Sequence, residues 1–360
     1  MNLPTQPETF QVTVERARPD LTALKGLLGD FVCASFPSGF SLAVLDAEGP
    51  VFSAYGGQAC RIGTPCPITP DTSYDLASLT KVVCSVTLTL VFAARDMLSL
   101  EDRVERWLPR FPRSDTTLTH LLTHTSGLIA HRPFFESVSG RSAIEAAVCD
   151  EATGSAPTGE VLYSDLNFML LGWVLEACGG APLDDLFARE VAGPLAMSRT
   201  GFGPGPGAET AATELDGDQR LTPGLLWGEV HDGNAHALGG VGGHAGLFGP
   251  LDDLVAFTRH LLVPDGRVLT PAWFAAMAAK RAGTGDDVRG LSWRLAPQDW
   301  GGWPEATLWH TGFTGTSLLV SPPLGLGVVL LSNAIHPVRR LGEQAEMRAV
   351  IHRCVSEAFA

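Results

Sequence analysis

The spacing of hydrophobic residues divides this chain into strand-forming ends and a helix-forming middle. Residues 40–45 and 51–55 alternate between apolar and polar positions around a turn at residues 46–50, which is typical of a β-hairpin. Residues 306–310, 316–321 and 326–333 read as three further short strands. Residues 19–35 and about 340–358 carry the apolar stripe of an amphipathic helix. These patterns predict one antiparallel sheet, built from both ends of the chain and flanked by two helices.

The middle of the chain has mainly helical periodicity. Helices are predicted near residues 79–95, 116–124, 141–150, 166–178, 181–191 and 250–263. Residues 201–207 are dense in Gly and Pro and predict a loop, and residues 227–249 are rich in Gly and His without helical periodicity. We therefore expect an α+β fold: an α/β sandwich formed by residues 1–75 and 290–360, and an all-helical region within residues 76–289. No linker separates them, so we expect one structural unit with a cleft at the seam.

Composition and charge exclude several classes of protein. Hydrophobic residues make up 45% of the 360 residues and charged residues 18%, which is typical of a globular chain and not of a disordered one. The formal net charge is −14. Because phosphate binding needs a basic surface, we expect no nucleic-acid partner. A small molecule is the expected partner, and the oligomeric state is left open.

Cysteine usage and the first residues bear on the compartment. The seven cysteines are an odd number, include no Cys-x-x-Cys and lie mostly in apolar surroundings, which favours free thiols in a reducing compartment. Cys60 and Cys66 bracket a Gly/Pro loop and could form a disulfide, which we do not favour. Residues 1–7 lack the basic and apolar regions of a signal peptide, and no apolar run is long enough to span a bilayer. We expect a cytoplasmic protein without membrane contact.

Residues 78–81 read Ser-x-x-Lys and open an apolar run. Positions i and i+3 share a face of a helix, so the Ser78 hydroxyl would lie beside the Lys81 ammonium. A serine hydroxyl becomes a nucleophile when a base takes its proton, and a lysine desolvated against an apolar helix can assist. The pattern alone is explained equally well by a serine at a helix start and a lysine that reaches solvent.

Two later segments change that balance. Residues 163–167 read Tyr-Ser-Asp-Leu-Asn, and residues 310–316 read His-Thr-Gly-Phe-Thr-Gly-Thr beside a predicted strand. In this order the three motifs resemble those of the penicillin-recognising serine hydrolases, in the branch that holds class C β-lactamases, D-Ala-D-Ala carboxypeptidases and related esterases. Residues 98–104, 118–128 and 239–248 also resemble that branch. The resemblance covers roughly residues 35–335 and implies a β-lactamase/transpeptidase-like fold.

The resemblance also implies roles for the motif residues. Ser78 would be the nucleophile, and its backbone N–H and that of Phe313 would hold the oxyanion. Lys81 and Tyr163 would act together as the general base. An ammonium beside a phenol favours the loss of the phenol's proton, which makes proton transfer through Tyr163 plausible. Which of the two first takes the Ser78 proton is left open.

Four further residues are expected at the site. His310 stands where many members have Lys, and we expect it to act catalytically by polarising the site while charging near pH 6.5. Thr311 and Gly312 would let a substrate lie along the strand as an added edge. His244, within a Gly-rich segment, is expected to line or brace the pocket rim.

Asp165 departs from the family pattern. The position is commonly Asn, whose amide can donate to a substrate carbonyl, whereas an ionised Asp only accepts. This substitution disfavours efficient turnover of β-lactams or peptide amides. Asn167 could supply a donor, but it lies two residues further along the helix and is expected to cap or pack.

Several histidines invite a metal interpretation, and His120 and His124 have the i, i+4 spacing of zinc ligands. No Glu occupies the metalloprotease position after His120, and the resemblance explains the segment as a family feature. The other histidines considered are His131, His231, His236 and His244. We expect no metal and no other cofactor.

The sequence thus predicts a serine hydrolase that acylates Ser78 with small carboxylic esters or D-amino-acid peptides. A β-lactamase or D-Ala-D-Ala carboxypeptidase is the first alternative. A non-catalytic, penicillin-binding-like sensor is an alternative of another class. Loss of Ser78, Lys81 or Tyr163 would mark such a sensor, and all three are present.

Overall fold

A computed structural model describes residues 10–14, 20–153, 156–204, 209–285 and 287–360. Residue 19 of the first predicted helix and residues 205–207 of the predicted loop lie outside the described residues. Residues 1–7, on which the signal-peptide prediction was based, lie outside them as well.

Strands from both ends of the chain form the larger sheet. Within the described residues it has eight antiparallel strands, in the spatial order β1-β3-β2-β11-β10-β9-β8 with β4 beside β3. A second sheet has the order β5-β7-β6. The strands are β1 (Phe10–Val14), β2 (Gly39–Asp46), β3 (Gly49–Cys60), β4 (Cys66–Pro67), β5 (Tyr74–Asp75), β6 (Gly201–Phe202), β7 (Leu247–Gly249), β8 (Arg294–Leu295), β9 (Leu308–Thr311), β10 (Ser317–Ser321) and β11 (Leu326–Ser332).

The eight predicted helices are present, and their ends lie within three residues of the expected positions. Two of them contain a π-helical segment as well as an α-helical one. The first and last flank the larger sheet, and most of the others lie between the two strand-forming ends. The helices are α1 (Thr22–Ala34), α2 (Lys81–Ala94), α3 (Leu118–Leu122), α4 (Arg141–Glu151), α5 (Asp165–Gly179), α6 (Leu183–Ala192), α7 (Gly233–Ala237), α8 (Leu251–Leu262), α9 (Pro271–Ala278) and α10 (Leu341–Phe359). Single 3₁₀ turns occur at Val104–Arg106, Phe134–Glu136 and Gln298–Trp300.

Both faces of the larger sheet are buried. Successive side chains of a strand point to opposite faces, and this explains why Leu42 and Ala43 enter different cores. Leu42 joins the apolar core beneath α1 and α10, whereas Ala43 joins the core shared with the helical region. Helix α8 covers this inner face and contacts β2, β10 and β11. The predicted α+β architecture is therefore confirmed, while the boundaries at residues 75 and 290 stay a prediction.

The structure corrects four local expectations. The region predicted to be helical, residues 76–289, contains strands β6 and β7 of the sheet β5-β7-β6, whose strands of two or three residues are too short for their periodicity to be recognised. Strand β6 occupies the start of the predicted 201–207 loop, and α7 lies in a segment without helical periodicity. Strand β1 and helix α9 were not predicted. Cys60 and Cys66, by contrast, face each other across β3 and β4 as free thiols, in agreement with the expectation that they form no disulfide.

The apolar helices in the described part of the chain bear on whether the protein could span a membrane. No single helix is both long enough and apolar enough to cross a bilayer. The pair α5 and α6 reaches the required length and composition together, with a bend of 74° between the two helices.

His352 on α10 makes the stability of the fold depend on pH. It stacks on Trp300 with ring centroids 4.2 Å apart, and its Nε2 lies 2.9 Å from Ser317 Oγ. Burial, reinforced by the charge of Arg348, lowers the pKa of His352 to about 3. The unfolded chain takes up this proton near pH 6.5 and the folded chain does not. The stability contribution is therefore complete above about pH 6.5 and falls by about 1.4 kcal/mol per pH unit as the pH decreases towards the folded pKa.

We predict that His352→Gln flattens this pH dependence by about one proton. Urea unfolding measured between pH 7.5 and 5 should show a smaller decrease in the free energy of unfolding for the variant than for the native protein. Comparison of the two slopes separates His352 from the other buried histidines. Equal slopes would show that His352 is protonated in the folded state.

Candidate active site

Ser78 lies in a tight turn that leads into α2. The preceding Ala77 has a φ of 47°, in the left-handed region that non-glycine residues rarely occupy. A carboxylate stabilises this turn, because Asp75 Oδ1 accepts a hydrogen bond of 2.8 Å from the backbone N–H of Ala77. The other oxygen of Asp75 accepts a bond of 2.6 Å from the backbone N–H of His231. Asp75 thus joins the nucleophile turn to the segment before α7.

The Ser78 hydroxyl meets the Lys81 ammonium, as the i, i+3 spacing predicts. Lys81 Nζ lies 2.9 Å from Ser78 Oγ, 2.8 Å from Asp165 Oδ1 and 3.2 Å from the backbone oxygen of His244. The Lys81 side chain is fully buried. Burial acts to lower the pKa of Lys81, but the charges of Asp165 and Tyr163 outweigh it and raise the pKa above its usual value. Lys81 is therefore held as an ammonium.

Asp165 occupies the first turn of α5, where a carboxylate is favoured by the helix dipole. One of its oxygens receives Lys81, and Oδ2 lies 3.4 Å from His131 Nδ1. Burial would raise the pKa of Asp165, but the Lys81 charge and the His131 contact hold it well below its ordinary value. The same contact raises the pKa of His131. An ionised Asp165 therefore faces the nucleophile.

Tyr163 immediately precedes α5, and its ring is surrounded by charged and aromatic groups. The ring centroid lies 4.5 Å from that of His124, 5.0 Å from Lys81 Nζ and 5.5 Å from the Arg289 guanidinium carbon. His124 Nδ1 also lies 3.1 Å from the backbone nitrogen of Ser164, which donates to it. This histidine therefore positions the start of α5 and, with it, the Tyr163 ring.

His310 lies at the end of β9, with its ring 6.3 Å from that of Tyr163. Its Nδ1 lies 3.0 Å from the backbone oxygen of Thr311, so Nδ1 carries the proton in the neutral ring and Nε2 is left as an acceptor. Burial and the charges of Lys81 and Arg289 hold the pKa of His310 well below its usual value. The expectation that His310 charges near pH 6.5 is thus wrong, because the sequence could not show its burial beside two cations.

Gly312 brings the β9–β10 turn against the nucleophile turn. A Cβ at Gly312 would lie 2.6 Å from the backbone oxygen of Leu76 and 2.1 Å from Thr316 Oγ1, so the close approach requires glycine. The pairing of β8 covers Leu308 and Trp309 and stops before His310. The backbone edge at Thr311 and Gly312 is therefore placed where a substrate strand was predicted to lie, and that role stays a prediction.

Two side chains contact the Phe313 ring. His231 stacks on it with centroids 5.5 Å apart, and the Arg339 guanidinium lies 5.2 Å from the ring centroid. Gln344 of α10 donates a hydrogen bond of 2.6 Å to the Phe313 backbone oxygen. Arg348, also on α10, donates to the backbone oxygen of Gly312. Helix α10 thus fixes the segment whose N–H is predicted to bind the oxyanion.

His244 is buried rather than placed at the outer rim. Its Nε2 lies 2.9 Å from Asp232 Oδ1, and its backbone oxygen accepts from Lys81. The neighbouring Gly243 approaches α5 closely, because a Cβ there would lie 2.2 Å from the backbone oxygen of Phe168. The Gly-rich segment therefore braces Lys81 through the backbone oxygen of His244.

The histidines do not assemble in the way that their spacing indicated. His120 Nδ1 accepts from the backbone N–H of Thr117 and caps α3, whereas His124 contacts Tyr163 and Ser164. A different group has the spacing of metal ligands: His131 and the carboxylates of Asp165 and Asp232 each offer an atom within 4.8 Å of the others. The absence of a metal stays a prediction.

Asn167 is buried in α5, and its contacts are structural. Its Oδ1 accepts a hydrogen bond of 2.6 Å from Ser126 Oγ, and its Nδ2 lies 3.4 Å from His124 Nδ1. Asn167 therefore packs against the segment after α3, as expected, and gives no donor in place of Asp165.

Two cavities of opposite electrostatic character open onto Ser78, Tyr163 and Phe313. The first, of about 290 Å³, is also lined by Asp165 and Asp232; its other lining residues are Ala77, His131, Gln219, His231, His244, Ala245 and Arg339. The second, of about 340 Å³, is also lined by Arg289, Arg294, His310, Thr311, Gly312, Gln344 and Arg348. We call them the acidic cavity and the cationic cavity.

Sequence reasoning missed several of these residues. Asp75, Asp232, Arg289 and Arg348 come from four separate segments that only the folded chain brings together. Asp75 alone lies near a motif in sequence, three positions before Ser78.

A family assignment follows from comparison with known proteins. The model of the Beta-lactamase family matches residues 36–352. This chain belongs to the Beta-lactamase family. The assignment confirms the resemblance that was drawn from the motifs at residues 78–81, 163–167 and 310–316.

Relatives and solved structures of this family agree in fold. A putative D-alanyl-D-alanine carboxypeptidase of Escherichia coli (strain K12) is 28% identical, over 92% of this chain and 85% of that protein. EstCE1, a hydrolase with promiscuous acyltransferase activity, superposes with a TM-score of 0.74 at 22% identity, over 92% of this chain and 99% of that one. A class C β-lactamase mutant gives 0.71 at 17% identity, over 95% and 99%. The β-lactamase/transpeptidase-like fold is thereby confirmed.

Proposed function

We propose that this protein is a serine hydrolase that forms an acyl-enzyme on Ser78 with small carboxylic esters or D-amino-acid peptides. The observation that carries the proposal is the 2.9 Å contact between Lys81 Nζ and Ser78 Oγ in a cleft that Tyr163 also lines. A non-catalytic sensor would not need an ammonium held against its serine. Membership of the Beta-lactamase family supports the same chemistry.

The reaction proceeds in two acyl transfers. Ser78 Oγ attacks the carbonyl carbon and loses its proton, and the tetrahedral oxyanion is held by the backbone N–H groups of Ser78 and Phe313. The bond to the leaving group then breaks, and the departing alcohol or amine takes the proton. Water then attacks the acyl-enzyme and gives up a proton to the same base. The bond to Ser78 Oγ breaks, the carboxylic acid is released, and the base returns a proton to Ser78 Oγ, which restores the hydroxyl.

Tyr163 is the proposed acceptor of the Ser78 proton. Lys81 is held as an ammonium by Asp165 and has no free lone pair, so it stabilises negative charge on its neighbours and donates towards Ser78 Oγ. The Tyr163 ring lies 5.0 Å from that ammonium. A neutral His310, with Nε2 as an acceptor, can receive a hydrogen bond from the substrate or water.

The cationic cavity favours a substrate with a carboxylate on the leaving group. Three guanidinium groups line it. Among the described residues, Asp287 pairs with two of them, at 2.9 Å from Arg289 and 3.2 Å from Arg294. Arg348 hydrogen-bonds a backbone oxygen. A peptide that ends in a free carboxylate fits a cavity that is lined by three guanidinium groups. The observation is compatible with the carboxypeptidase and the β-lactamase alternatives alike, since β-lactams also carry a carboxylate.

A parallel substrate screen tests the proposal. Esters of 4-nitrophenol, nitrocefin and acyl-D-Ala-D-Ala peptides would be compared in native protein and Ser78→Ala, with the peptides offered both with a free carboxylate and as the C-terminal amide. We expect turnover of esters or free-carboxylate peptides that is lost in Ser78→Ala. Turnover that persists in Ser78→Ala, or no turnover and no covalent adduct at all, would refute the proposal.

Asp165→Asn is predicted to shift specificity towards amide-bearing acyl groups. Asn restores a donor where the carbonyl of the acyl side chain would lie, and a buried carbonyl without a partner costs about 1 to 3 kcal/mol. The ratio of kcat/KM for β-lactams or acyl-D-Ala peptides to that for simple esters should therefore rise about tenfold. Steady-state kinetics on both substrate types in both proteins measure this ratio.

The ratio is the informative quantity, because Asp165→Asn also removes the partner of Lys81. Loss of that charge allows burial to lower the pKa of Lys81, which would change the rates on all substrates together. Asp185→Asn, an exposed change of the same kind on α6, is the matched control. An unchanged ratio would mean that Asp165 serves only to hold Lys81 and the start of α5.

A further inference from the structure

The acidic cavity carries more negative than positive charge directly beside the nucleophile. Lys81 is matched by Asp165, and Arg339 pairs with Glu214 and Asp218. Asp232 accepts from His244 Nε2 and from the backbone N–H of Ala235. Lys81 and Arg339 thus stand against four carboxylates, and the imidazoles of His131, His231 and His244 add positive charge only when they are protonated.

The two carboxylates that line this cavity accept hydrogen bonds and cannot donate them. The pKa of Asp232 is held below its ordinary value because the His244 charge and hydrogen bond outweigh burial, so it faces the cavity ionised, as Asp165 does. Side chains of both residues keep about a fifth of their surface exposed. A substrate group that fills this space must therefore offer N–H or O–H groups, and positive charge is favoured.

Distance places this group close to the reacting carbonyl. Asp165 Oδ1 and Ser78 Oγ are both bonded to Lys81 Nζ, at 2.8 and 2.9 Å, so they lie close together around one ammonium. A donor on the first or second carbon of the acyl group therefore reaches the carboxylates while Ser78 attacks. His131, which is 38% exposed, is the side chain that such a donor would displace from Asp165 Oδ2.

We propose that the acidic cavity binds a protonated amine on the acyl part of the substrate, one or two carbons from the scissile carbonyl. The inference rests on the proposed function, because it assigns the acyl-side specificity of the same Ser78 site. Together with the cationic cavity on the other side of Ser78, it describes a site of opposite charges that suits short aminoacyl compounds whose amine is free. The amine is bound by electrostatics and hydrogen bonds and takes no part in bond breaking.

A pair of isosteric esters tests this directly. The 4-nitrophenyl esters of glycine and propionic acid differ by an ammonium in place of a methyl group and have no chiral centre. We expect native protein to hydrolyse the glycyl ester with a kcat/KM at least about tenfold above that for the propionyl ester, after subtraction of the rate with Ser78→Ala. A ratio near or below one overturns the inference.

Asp232→Asn identifies the group responsible. The variant keeps a side-chain oxygen to accept from Ala235 and loses the charge, so the glycyl-to-propionyl ratio should fall about tenfold. Asp185→Asn, exposed on α6 and lining neither cavity, is the matched control and should retain the native ratio. A proportional loss of both rates in Asp232→Asn would show that this residue only supports His244, and would overturn the assignment.

Two additional measurements keep the test decisive. If Asp232→Asn does not fold, calorimetry on Ser78→Ala should still show tighter binding of glycinamide than of propionamide, and equal binding overturns the inference. Because His131, Asp165 and Asp232 also have metal-ligand spacing, the esters are compared after EDTA and after added Zn²⁺ or Mn²⁺. A glycyl preference that EDTA removes and the metal restores would assign the cavity to a cation instead.

Failure of the inference and failure of the proposed function give different results. If the propionyl ester acylates Ser78 and the glycyl ester is no better, the serine hydrolase stands and the amine site falls. If neither ester leaves an adduct on Ser78 or is turned over, the proposed function itself falls.

Discussion

Ser78→Ala is expected to abolish turnover of every substrate while the fold is kept. The change removes one half-buried oxygen, which accepts from Lys81, and adds no atoms that could clash. Loss of a covalent nucleophile costs several orders of magnitude in kcat, because no other group in the cleft replaces the acyl-enzyme. Intact-protein mass spectrometry after brief exposure to a fluorophosphonate should show one adduct on native protein, in the peptide that contains Ser78.

The matched control for this experiment is Ser142→Ala, an exposed serine on α4. It should label and turn over substrate as the native protein does, with an unchanged melting temperature for both variants. An adduct that forms equally on Ser78→Ala would place the nucleophile elsewhere and remove the basis of the proposed mechanism.

Lys81 and Tyr163 are expected to behave as one catalytic unit. Lys81→Met and Tyr163→Phe should each lower kcat/KM on the order of 10²-fold or more, because each removes part of one proton path. The double variant should lose much less than the product of the two single losses, since the second change acts on a path already broken. A double-mutant cycle measured with one ester provides these values.

Other lysines and tyrosines of the chain serve as controls. Lys25→Met changes an exposed lysine of α1, and Tyr55→Phe removes a hydroxyl that contacts Gln11 on the outer part of the sheet. Both should leave kcat/KM within about twofold of native, as exposed changes far from a site usually do. Fully multiplicative losses in the Lys81 and Tyr163 cycle would mean that the two groups act in separate steps.

The part of the site that lies on one helix could be predicted from the sequence. Ser78 and Lys81 meet because three residues of helix separate them, and the apolar run after them buries Lys81. Sequence alone could not show that α2 begins with a π-helical segment, Lys81–Val86, because that widening depends on packing. Nor could it show that Asp165 is the partner of Lys81, 84 residues away along the chain.

In the rest of the fold, too, the elements marked by a local sequence pattern could be predicted, and those that depend on distant contacts could not. Long helices such as α5 and the strands β2 and β11 could be predicted from the periodicity of their apolar residues. The strands β5 and β6 have two residues each and pair with β7, which is distant in sequence, so no local pattern marks them. The charges that line the two cavities could not be predicted from the sequence either. Asp232 and Arg348 belong to segments whose position beside the cleft depends on the whole fold.

Helix α10 gives the site a dependence on the order of synthesis. When a ribosome has produced the chain as far as β10, the residues Ser78, Lys81, Tyr163, His310 and Phe313 have all been made. Gln344 and Arg348, which hold the backbone at Phe313 and Gly312, are still to come. A nascent chain at that stage has its nucleophile without the brace for its oxyanion segment. Hydrolysis of a fluorogenic ester would therefore report the docking of α10, and so the end of folding, in a translation reaction followed in real time.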